Sequence, residues 1–432
     1  MKNRLRLTIL VSLPLITTLA FSQAVKQVYA YPTSAPGPIS IPAQGRDGGL
    51  YTTASGDGIT HTNGAVLETP LIAKGTRFLH TFTTADGTNP ASGLTLGLDG
   101  NYYGAAPGGG DSSFGALFKI TPSGTYTVLH QFTGATDGGA PTTAPIQASD
   151  GNLYGNTSFG NVNAGTVYRL VPSSGTFTTI FSFPQDGSQG KQMLAPLMQA
   201  SDGNLYGTTE LGGVSNAGTV FKLSLSGSLL QSYSFLGGAG GGFPLAPLVQ
   251  ASDGNLYGTT YAGGTITGQC KSGCGTIFKM SHGVVSILYS FSGTVADGAY
   301  PLAGLTEGTD GNLYGSTGQG GKSQLGTLYQ VTTSGQYKLL YSFFAQVGSG
   351  PDMALLQHTN GKFYGTAGSG GRNNAGSLYS FDIGLGPFIA LVRYTGRIGQ
   401  PVQILGQGLT GSTAVTINGV AATSLKSSPT PT

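Results

Sequence analysis

The sequence predicts an all-β fold, a seven-bladed β-propeller of four-stranded antiparallel blades, and three observations lead to this prediction. A six-residue motif recurs seven times at a spacing of about 51 residues. Short segments rich in Val, Tyr, Phe and Thr, which favour strands, flank each copy. The composition is typical of short strands joined by turns, since 74 of the 432 residues are Gly and only 9% are charged.

The repeated motif is Asp-Gly-Asn-Leu-Tyr-Gly, which is intact in four copies and altered in three. The copies begin at Asp47, Asp99, Asp150, Asp202, Asp253, Asp310 and Asn360. Asp-Gly between apolar segments is a strong hairpin signal, because the central residues of such turns adopt positive φ angles. The first copy, Asp-Gly-Gly-Leu-Tyr-Thr, is the most altered, so the count of seven depends on it.

Four strands are predicted within one repeat. In the fourth copy they cover residues 196–200, 205–209, 218–223 and 230–235, and residues 201–204 form the first turn. Both faces of these strands carry apolar residues, as expected for blades that pack radially on two neighbours. A β-solenoid is the main alternative, but its coils are usually shorter than this repeat.

The closure of the ring is left open between two possibilities. Residues 388–392 complete the last blade, or an N-terminal strand near residues 39–41 does so. The domain boundaries that follow are a signal peptide at 1–24, a linker at 25–38, the propeller at 39–392 and a separate segment at 393–432.

The N-terminus is typical of a secretory signal. Lys2, Arg4 and Arg6 precede an apolar run at 7–21 that is short and interrupted for a membrane span. Small residues allow cleavage after Ala24, or as a second choice after Ala30. An uncleaved signal anchor is the alternative. We therefore expect a secreted or cell-surface, extracytoplasmic protein.

The two cysteines, Cys270 and Cys274, lie close together in one loop. In an oxidising compartment this pair predicts a local disulfide. Free thiols are one alternative. A metal site is another, but it would need further ligands such as His282, so no metal or other cofactor is expected.

One tyrosine recurs in every motif copy. These residues are Tyr51, Tyr103, Tyr154, Tyr206, Tyr257, Tyr314 and Tyr364. A glycan-binding aromatic stripe is one interpretation, but a residue needed in every blade favours packing between blades, with its hydroxyl bonded locally. The repeated Asp lacks the alternating oxygen ligands of a calcium loop, so we interpret it as turn chemistry.

No convincing catalytic site is visible. His80 and His130 occupy equivalent fourth-strand positions, which favours a structural role, and His282 falls in a turn. No nucleophile elbow or His-rich metal motif occurs. The net charge of +3 has no basic cluster beyond the N-terminus, so nucleic-acid binding is not expected.

The geometry of a four-stranded meander separates two faces. The short Asp-Gly turns lie on one, which we call the turn face. The Gly-rich loops after the second strands and the links between blades lie on the other, the long-loop face, which is the expected ligand site. Its strongest charged candidates are Asp186, Glu210, Asp297, Asp352 and Arg372; the wider set adds Asp111, Asp137, Lys191, Lys271 and Lys322.

The repeat resembles the GloVer tandem-repeat family of bacterial exported proteins. Gly-Thr-Val-Phe-Lys-Leu at 218–223 and Tyr-Ser-Phe at 233–235 follow the motif in the order that this family shows, and 275–280 with 289–291 do so again. The resemblance covers about residues 90–385. It implies a surface or secreted location, often with a C-terminal anchor, and no established activity.

Residues 395–425 resemble the opening strands of an IPT/TIG immunoglobulin-like domain. Gly-Gln-Pro-Val-Gln-Ile-Leu-Gly at 399–406 and Val-Thr-Ile-Asn-Gly-Val at 415–420 carry this resemblance. The sequence stops before a sandwich could close, which predicts an incomplete domain and a missing anchor.

Two functions remain from the sequence. The first is a non-catalytic, monomeric binding propeller that takes a polysaccharide or an extracellular protein on the long-loop face and touches a membrane only through its signal peptide or a missing anchor. The second is a secreted propeller enzyme, a glycan hydrolase or lyase.

Overall fold

The computed structural model describes residues 24–31, 40–55, 63–72, 75–91, 93–160, 164–267, 270–392, 403–406, 416–417 and 420–421. Within these residues the chain forms seven four-stranded antiparallel sheets, which are the seven predicted blades. The altered motif copy at Asp47 lies in a complete blade, so the count of seven is confirmed.

The first strand of each blade lines the central channel and is two residues long. From blade 1 to blade 7 the first strands are Ala43–Gln44, Thr95–Leu96, Ile146–Gln147, Met198–Gln199, Val249–Gln250, Thr306–Glu307 and Leu356–Gln357. The second strands are buried along their whole length; they are Leu50–Ala54, Tyr102–Ala106, Leu153–Thr157, Leu205–Thr209, Leu256–Thr260, Leu313–Thr317 and Phe363–Ala367.

The third strands are also largely buried, and the fourth strands form the half-exposed rim. The third strands are Ala65–Thr69, Ala116–Ile120, Thr166–Val171, Thr219–Leu223, Thr276–Ser281, Thr327–Val331 and Ser377–Asp382. The fourth strands are Arg77–Thr81, Tyr126–Gln131, Thr176–Ser182, Leu229–Ser234, Val284–Ser290, Tyr337–Ser342 and, for blade 7, Ala24–Ala30.

The repeat leaves little room for helices. The one helical element among the described residues is a 3₁₀ turn at Gly238–Gly240, and Gly298–Ala299 pairs with Gln319–Gly320 in a small extra sheet. Within the part of the chain that the structure describes, no helix is long and apolar enough to cross a membrane.

Each Asp-Gly turn is fixed by its own side chains. In blade 4 the Asp202 Oδ1 accepts a hydrogen bond from the Asn204 backbone N–H at 3.0 Å, and Gly203 adopts φ 83°. The Tyr206 hydroxyl donates to Asp202 Oδ2 at 2.9 Å. The motif therefore specifies a turn and ties the second strand to it.

The glycine that follows the motif tyrosine makes room for an aromatic ring of the third strand. A Cβ atom on Gly207 would lie 2.4 Å from Cζ of Phe221, and the same contact recurs in blades 2 to 7 with Phe or Tyr. Blade 1 differs, since Thr52 there is paired with Leu67. These rings fill the spaces between blades, where Tyr154 and Val167 of one blade pack with Phe221 of the next.

The ring is closed by a strand that the sequence interpretation assigned to a linker. Ala24–Ala30 pairs antiparallel with Ser377–Asp382 as the fourth strand of blade 7. Tyr31 is 0% exposed, and its hydroxyl lies 3.1 Å from Oγ1 of Thr52 in blade 1. The prediction of a linker at 25–38 is therefore wrong for 25–31, and the propeller begins at 24 rather than 39.

Of the two predicted closures, the one by residues 388–392 is wrong, and the one by an N-terminal strand is right in kind but wrong in position, since the strand is Ala24–Ala30 rather than 39–41. Ile41 lies outside any strand, and Ile39 lies outside the described residues. Ile389–Leu391 pairs with Ile404–Gly406 instead of completing a blade, so it belongs with the C-terminal segment. An unclosed blade needs a partner for its third strand, and the N-terminal strand fills that position.

The described residues of the C-terminal segment form two short strand pairs. Besides the hairpin of Ile389–Leu391 with Ile404–Gly406, Thr416–Ile417 pairs with Val420–Ala421. The remaining residues of the predicted IPT/TIG-like segment, like residues 1–23 of the predicted signal peptide at 1–24, lie outside the described residues.

Candidate functional site

The long-loop face is built by pairing between the loops and the links, as the meander predicts. A link is the segment that joins the fourth strand of one blade to the first strand of the next. In six cases a residue of the link forms an antiparallel bridge with the next blade, in the loop that follows its second strand. These pairs are Thr88 with Gly108, Gly139 with Phe159, Lys191 with Leu211, Gly242 with Ala262, Gly298 with Gly320 and Ser349 with Ser369. Each of these six loops is therefore held by hydrogen bonds to the link that enters its blade.

Each link contains a residue with positive φ that joins two blades. Gln192 has φ 58°, its N–H donates to the Ala164 carbonyl of blade 3, and its carbonyl accepts from Glu210 N–H of blade 4. Asn89, Ala140, Phe243 and Tyr300 have the same conformation in other links. Hydrogen bonds on both sides of this residue hold the strained conformation and so fix the position of the link.

Four loops share a frame that presents a run of three exposed residues. Two consecutive glycines with positive φ precede this run, and its third residue also has positive φ. We call the first residue of the run the tip residue. The tip residues are Asp111, Val214, Lys322 and Arg372 in blades 2, 4, 6 and 7. All four are exposed, so the frame is constant while the presented chemistry differs.

The loop of blade 5 is longer and contains both cysteines. The structure joins Cys270 and Cys274 in a disulfide with a sequence separation of 4, and both cysteines are buried. Gly293 of the following link packs against the two Sγ atoms. Lys271 lies inside the disulfide loop and is exposed. The disulfide therefore fixes the segment that presents Lys271.

Two predicted candidates hold turns in the links. Asp297 is 3% exposed and accepts hydrogen bonds from the Ser292 and Thr294 backbone N–H groups and from the Tyr289 hydroxyl. Asp137 accepts in the same way from Thr133, and its Oδ2 lies 3.2 Å from His130 Nε2. Because these carboxylates are already engaged, they are poorly placed to meet a ligand.

The histidines of the fourth strands pack between blades. The His130 ring stacks on Phe177 of blade 3 at 3.7 Å, and the His80 ring stacks on Tyr126 of blade 2 at 3.9 Å. Burial lowers the pKa of both imidazoles, and the facing Asp137 and Asp86 oppose this shift. His282 lies in a turn with φ 49°.

Asp186 and Glu210 lie near the junction of blades 3 and 4. Asp186 is exposed, and hydrogen bonds from the backbone and hydroxyl of Ser188 lower its pKa. Glu210 is half-buried, and burial raises its pKa. Lys191 lies on the link between them.

Asp352 has the least satisfied carboxyl group on this face. Its Oδ1 atom is buried without a hydrogen-bond partner among the described residues, and burial raises its pKa. Two half-exposed rings, Tyr261 and Tyr300, stack nearby with centroids 4.8 Å apart. Asp352 Oδ1 and the Tyr300 backbone oxygen both lie beside Gly318, which places the three side chains in one region of blades 5 to 7. Burial, together with the Tyr300 and Asp352 charges, raises the pKa of Tyr261.

The seven motif tyrosines are mostly buried and bonded within their own turns. In blades 1 to 6 the hydroxyl donates to the motif Asp at 2.7 to 2.9 Å, and in blade 7 Tyr364 accepts from Asn360. Within the described ranges no cluster of three or more His, Cys, Asp or Glu residues could hold a metal ion.

A glutamine that the sequence interpretation overlooked joins the blades on the turn face. Gln199 Oε1 accepts from the Ser149 backbone N–H of the preceding blade at 2.8 Å, and its Nε2 donates to Gly203 O at 2.9 Å. The same position in blades 1, 3, 5 and 7 is Gln, and in blade 6 it is Glu307. Its recurrence three residues before the motif Asp was a signal available in the sequence.

The C-terminal hairpin covers part of the channel mouth on the turn face. The Phe388 N–H donates to Thr359 O of blade 7 at 2.9 Å, and Arg46 of blade 1 donates to Gln403 Oε1 at 2.8 Å. A cavity of about 370 Å³ lies between the hairpin and the first strands of blades 1, 2, 6 and 7. Glu307 is the one charged residue that lines it.

Solved structures with the same architecture are distant in sequence. The extracellular domain of a protein assigned as a one component system from B. thetaiotaomicron is 11% identical, with a TM-score of 0.54 over 83% of this chain. The chain spans only 40% of that protein. An oligogalacturonate lyase from Vibrio parahaemolyticus is 13% identical, with a TM-score of 0.52 over 83% of this chain and 93% of the lyase. Such likeness shows the fold alone.

Family comparison gives a closer relationship. None of the curated proteins compared matches the chain. The profile described as Gloeobacter/Verrucomicrobia repeat matches three overlapping tandem segments, residues 18–199, 145–280 and 264–412. These segments cover all seven blades and the start of the C-terminal segment. The chain belongs to the Gloeobacter/Verrucomicrobia repeat family.

Proposed function

We propose that this protein is an extracytoplasmic, non-catalytic propeller that binds a polysaccharide on its long-loop face. The observation that carries the proposal is the constant loop frame with a variable tip residue, Asp111, Val214, Lys322 or Arg372. Side chains that maintain a fold repeat from blade to blade, as the motif tyrosines do. Outward side chains that differ on an otherwise constant frame are suited to contact a ligand.

The two faces also differ in access. The hairpin of Ile389–Leu391 with Ile404–Gly406 covers part of the channel mouth on the turn face. On the long-loop face the described loops leave their tip residues open to solvent. A secreted location is supported by the charged and apolar N-terminal sequence and by the Cys270–Cys274 disulfide, which is stable in an oxidising compartment. We regard the IPT/TIG-like segment as a spacer that extends from the turn face, opposite the proposed binding surface.

A secreted glycan hydrolase or lyase is the second candidate function. It is favoured by Asp352 and Glu210, the two carboxyl groups of the described residues whose pKa is raised by burial. One structural neighbour is an oligogalacturonate lyase, so turnover is worth measuring. The binding role is preferred because the two carboxyl groups lie on different blades and each lacks a paired base or acid.

The test is affinity electrophoresis of the secreted protein in gels that contain neutral or acidic polysaccharides. Retarded migration in at least one gel, unchanged in Asp352→Asn and Glu210→Gln variants and without release of new chain ends, supports a non-catalytic binding role. Release of chain ends that either variant abolishes would establish the enzyme instead. Unretarded migration in every polysaccharide would refute the proposed ligand class.

A further inference from the structure

The long-loop face is divided into two halves of opposite character. Exposed acidic side chains, Asp111 and Asp186, lie on blade 2 and on the link after blade 3. In the loops that blades 5, 6 and 7 contribute to this face, the exposed charged side chains among the described residues are Lys271, Lys322 and Arg372. We call these three residues and the loops that carry them the basic sector. The net charge of the protein is only +3, so their grouping on three consecutive blades is local.

The cations of the basic sector form no ion pair with any other described residue. Of the six ion pairs formed among the described residues, none includes Lys271, Lys322 or Arg372. Lysines of the third strands differ, because Lys222 and Lys279 pair with motif aspartates at 2.9 and 3.3 Å. Unpaired cations held by rigid loops are available to an external anion.

The acids within the basic sector do not neutralise it. Asp297 is buried and accepts several hydrogen bonds from its own turn. The carboxyl group of Asp352 is partly withdrawn from solvent beneath the same loops. An approaching ligand therefore meets three positive charges without an exposed negative one.

Apolar and aromatic groups lie between these cations. Ile266 and Val295 are 68% and 60% exposed, and Phe344 on the link between blades 6 and 7 is 41% exposed. The half-exposed Tyr261 and Tyr300 rings form a stacked pair at the junction of blades 5 and 6. Sugar rings have apolar C–H faces that pack on such side chains, while acidic groups on the same chain meet the cations.

We infer that the basic sector binds an acidic polysaccharide, with Lys271, Lys322 and Arg372 contacting carboxylate or sulfate groups along the chain. This inference rests on the proposed function and narrows its ligand class. An anionic polymer fits better than a nucleic acid, which requires a larger basic footprint. Because the three cations lie on consecutive blades, a polysaccharide that follows the arc of the blades can contact all of them.

The experiment measures binding of the secreted protein to alginate, with dextran as the neutral control. One variant carries Lys271→Gln, Lys322→Gln and Arg372→Gln. The matched control carries Lys26→Gln, Lys119→Gln and Lys338→Gln, which likewise remove three positive charges but lie on strands of the rim and blades. Circular dichroism and thermal unfolding verify that both variants fold.

We expect alginate binding to weaken by about tenfold or more in the sector variant, and by less than about twofold in the control. Wild-type binding should weaken as salt is added, and the sector variant should lose this dependence. Equal losses in both variants, or equal wild-type binding to dextran and alginate, would overturn the inference and leave the proposed function standing. If the protein bound neither alginate, nor dextran, nor any other polysaccharide, both this inference and the proposed function would be refuted. Binding to polyglutamate as strong as to alginate would overturn the assignment to a polysaccharide.

Discussion

Replacement of Gly207 by Ala tests the packing between blades. A Cβ atom at this position would lie 2.4 Å from Phe221 Cζ and 2.9 Å from Leu197 Cδ2, whereas carbon atoms in contact lie about 3.5 to 4.0 Å apart. Phe221 is 1% exposed and Leu197 is 3% exposed, so neither side chain can move into solvent. Overpacking of this kind costs about 1 to 3 kcal/mol.

The loss of a glycine from the unfolded chain offsets part of that cost. Where the native backbone suits Ala, replacing Gly by Ala stabilises a protein by about 0.4 to 1 kcal/mol, because the unfolded chain has less conformational entropy. We therefore expect Gly207→Ala to lower the free energy of unfolding by about 1 to 2 kcal/mol. Urea titration followed by circular dichroism measures the change.

Two further variants separate the contact from a general effect of Ala. Gly240→Ala is the matched control, since a Cβ there meets nothing within 4 Å, and we expect no destabilisation. Phe221→Leu recreates the pairing of Thr52 with Leu67 in blade 1. The cost of Gly207→Ala should fall in the Phe221→Leu background. An equal cost in both backgrounds, or a loss no larger than that of Gly240→Ala, would refute the reasoning.

Two other predictions concern pH and the disulfide. Burial lowers the pKa of His130, so the unfolded state takes up the proton first and stability falls as the pH drops through about 6.5. His130→Tyr should keep the contact with Asp137, because Tyr289 makes the equivalent contact with Asp297 in blade 5. The variant should therefore show a smaller fall in Tm between about pH 7.5 and about pH 5.5. An unchanged pH dependence would contradict the assignment of this fall in stability to His130. Replacement of Cys270 and Cys274 by Ser should cost about 2 kcal/mol, and faster hydrogen exchange should be confined to the loop of blade 5 and its neighbouring link; equal exchange throughout the protein would oppose this local role.

The blades could be predicted from the sequence because their determinants are local. Asp202, Gly203 and Tyr206 specify a turn within five residues, and the same set recurs in blades 1 to 6 and, with Asn360 in place of Asp, in blade 7. The closing strand is harder to recognise, because it directly follows the apolar N-terminal run. Its end, Tyr-Ala-Tyr at 29–31, is nevertheless a copy of the Tyr-Ser-Phe segment that ends other fourth strands.

The candidate site could be predicted only in outline. The long-loop face could be inferred from the order of the strands. The turn-holding role of Asp297 could also have been recognised, because Ser292 and Thr294 precede it, but this signal was not used. The proximity of Asp352 to Tyr261 and Tyr300 has no counterpart in other blades. Contacts between three separate loops leave no periodic pattern in a sequence, so they could not be inferred without the fold.

The closed ring is the claim on which the other conclusions depend, because it brings blade 7 against blade 1 and all the loops onto one face. The most direct test compares the thermal unfolding of protein that begins at Val25 with that of protein that begins at Tyr31. Loss of residues 25–30 exposes the edge of the strand Ser377–Asp382, where Leu378, Tyr379 and Phe381 are buried. We predict a much lower Tm or aggregation of the shorter form. Equal Tm values with both forms monodisperse would contradict closure by the N-terminal strand.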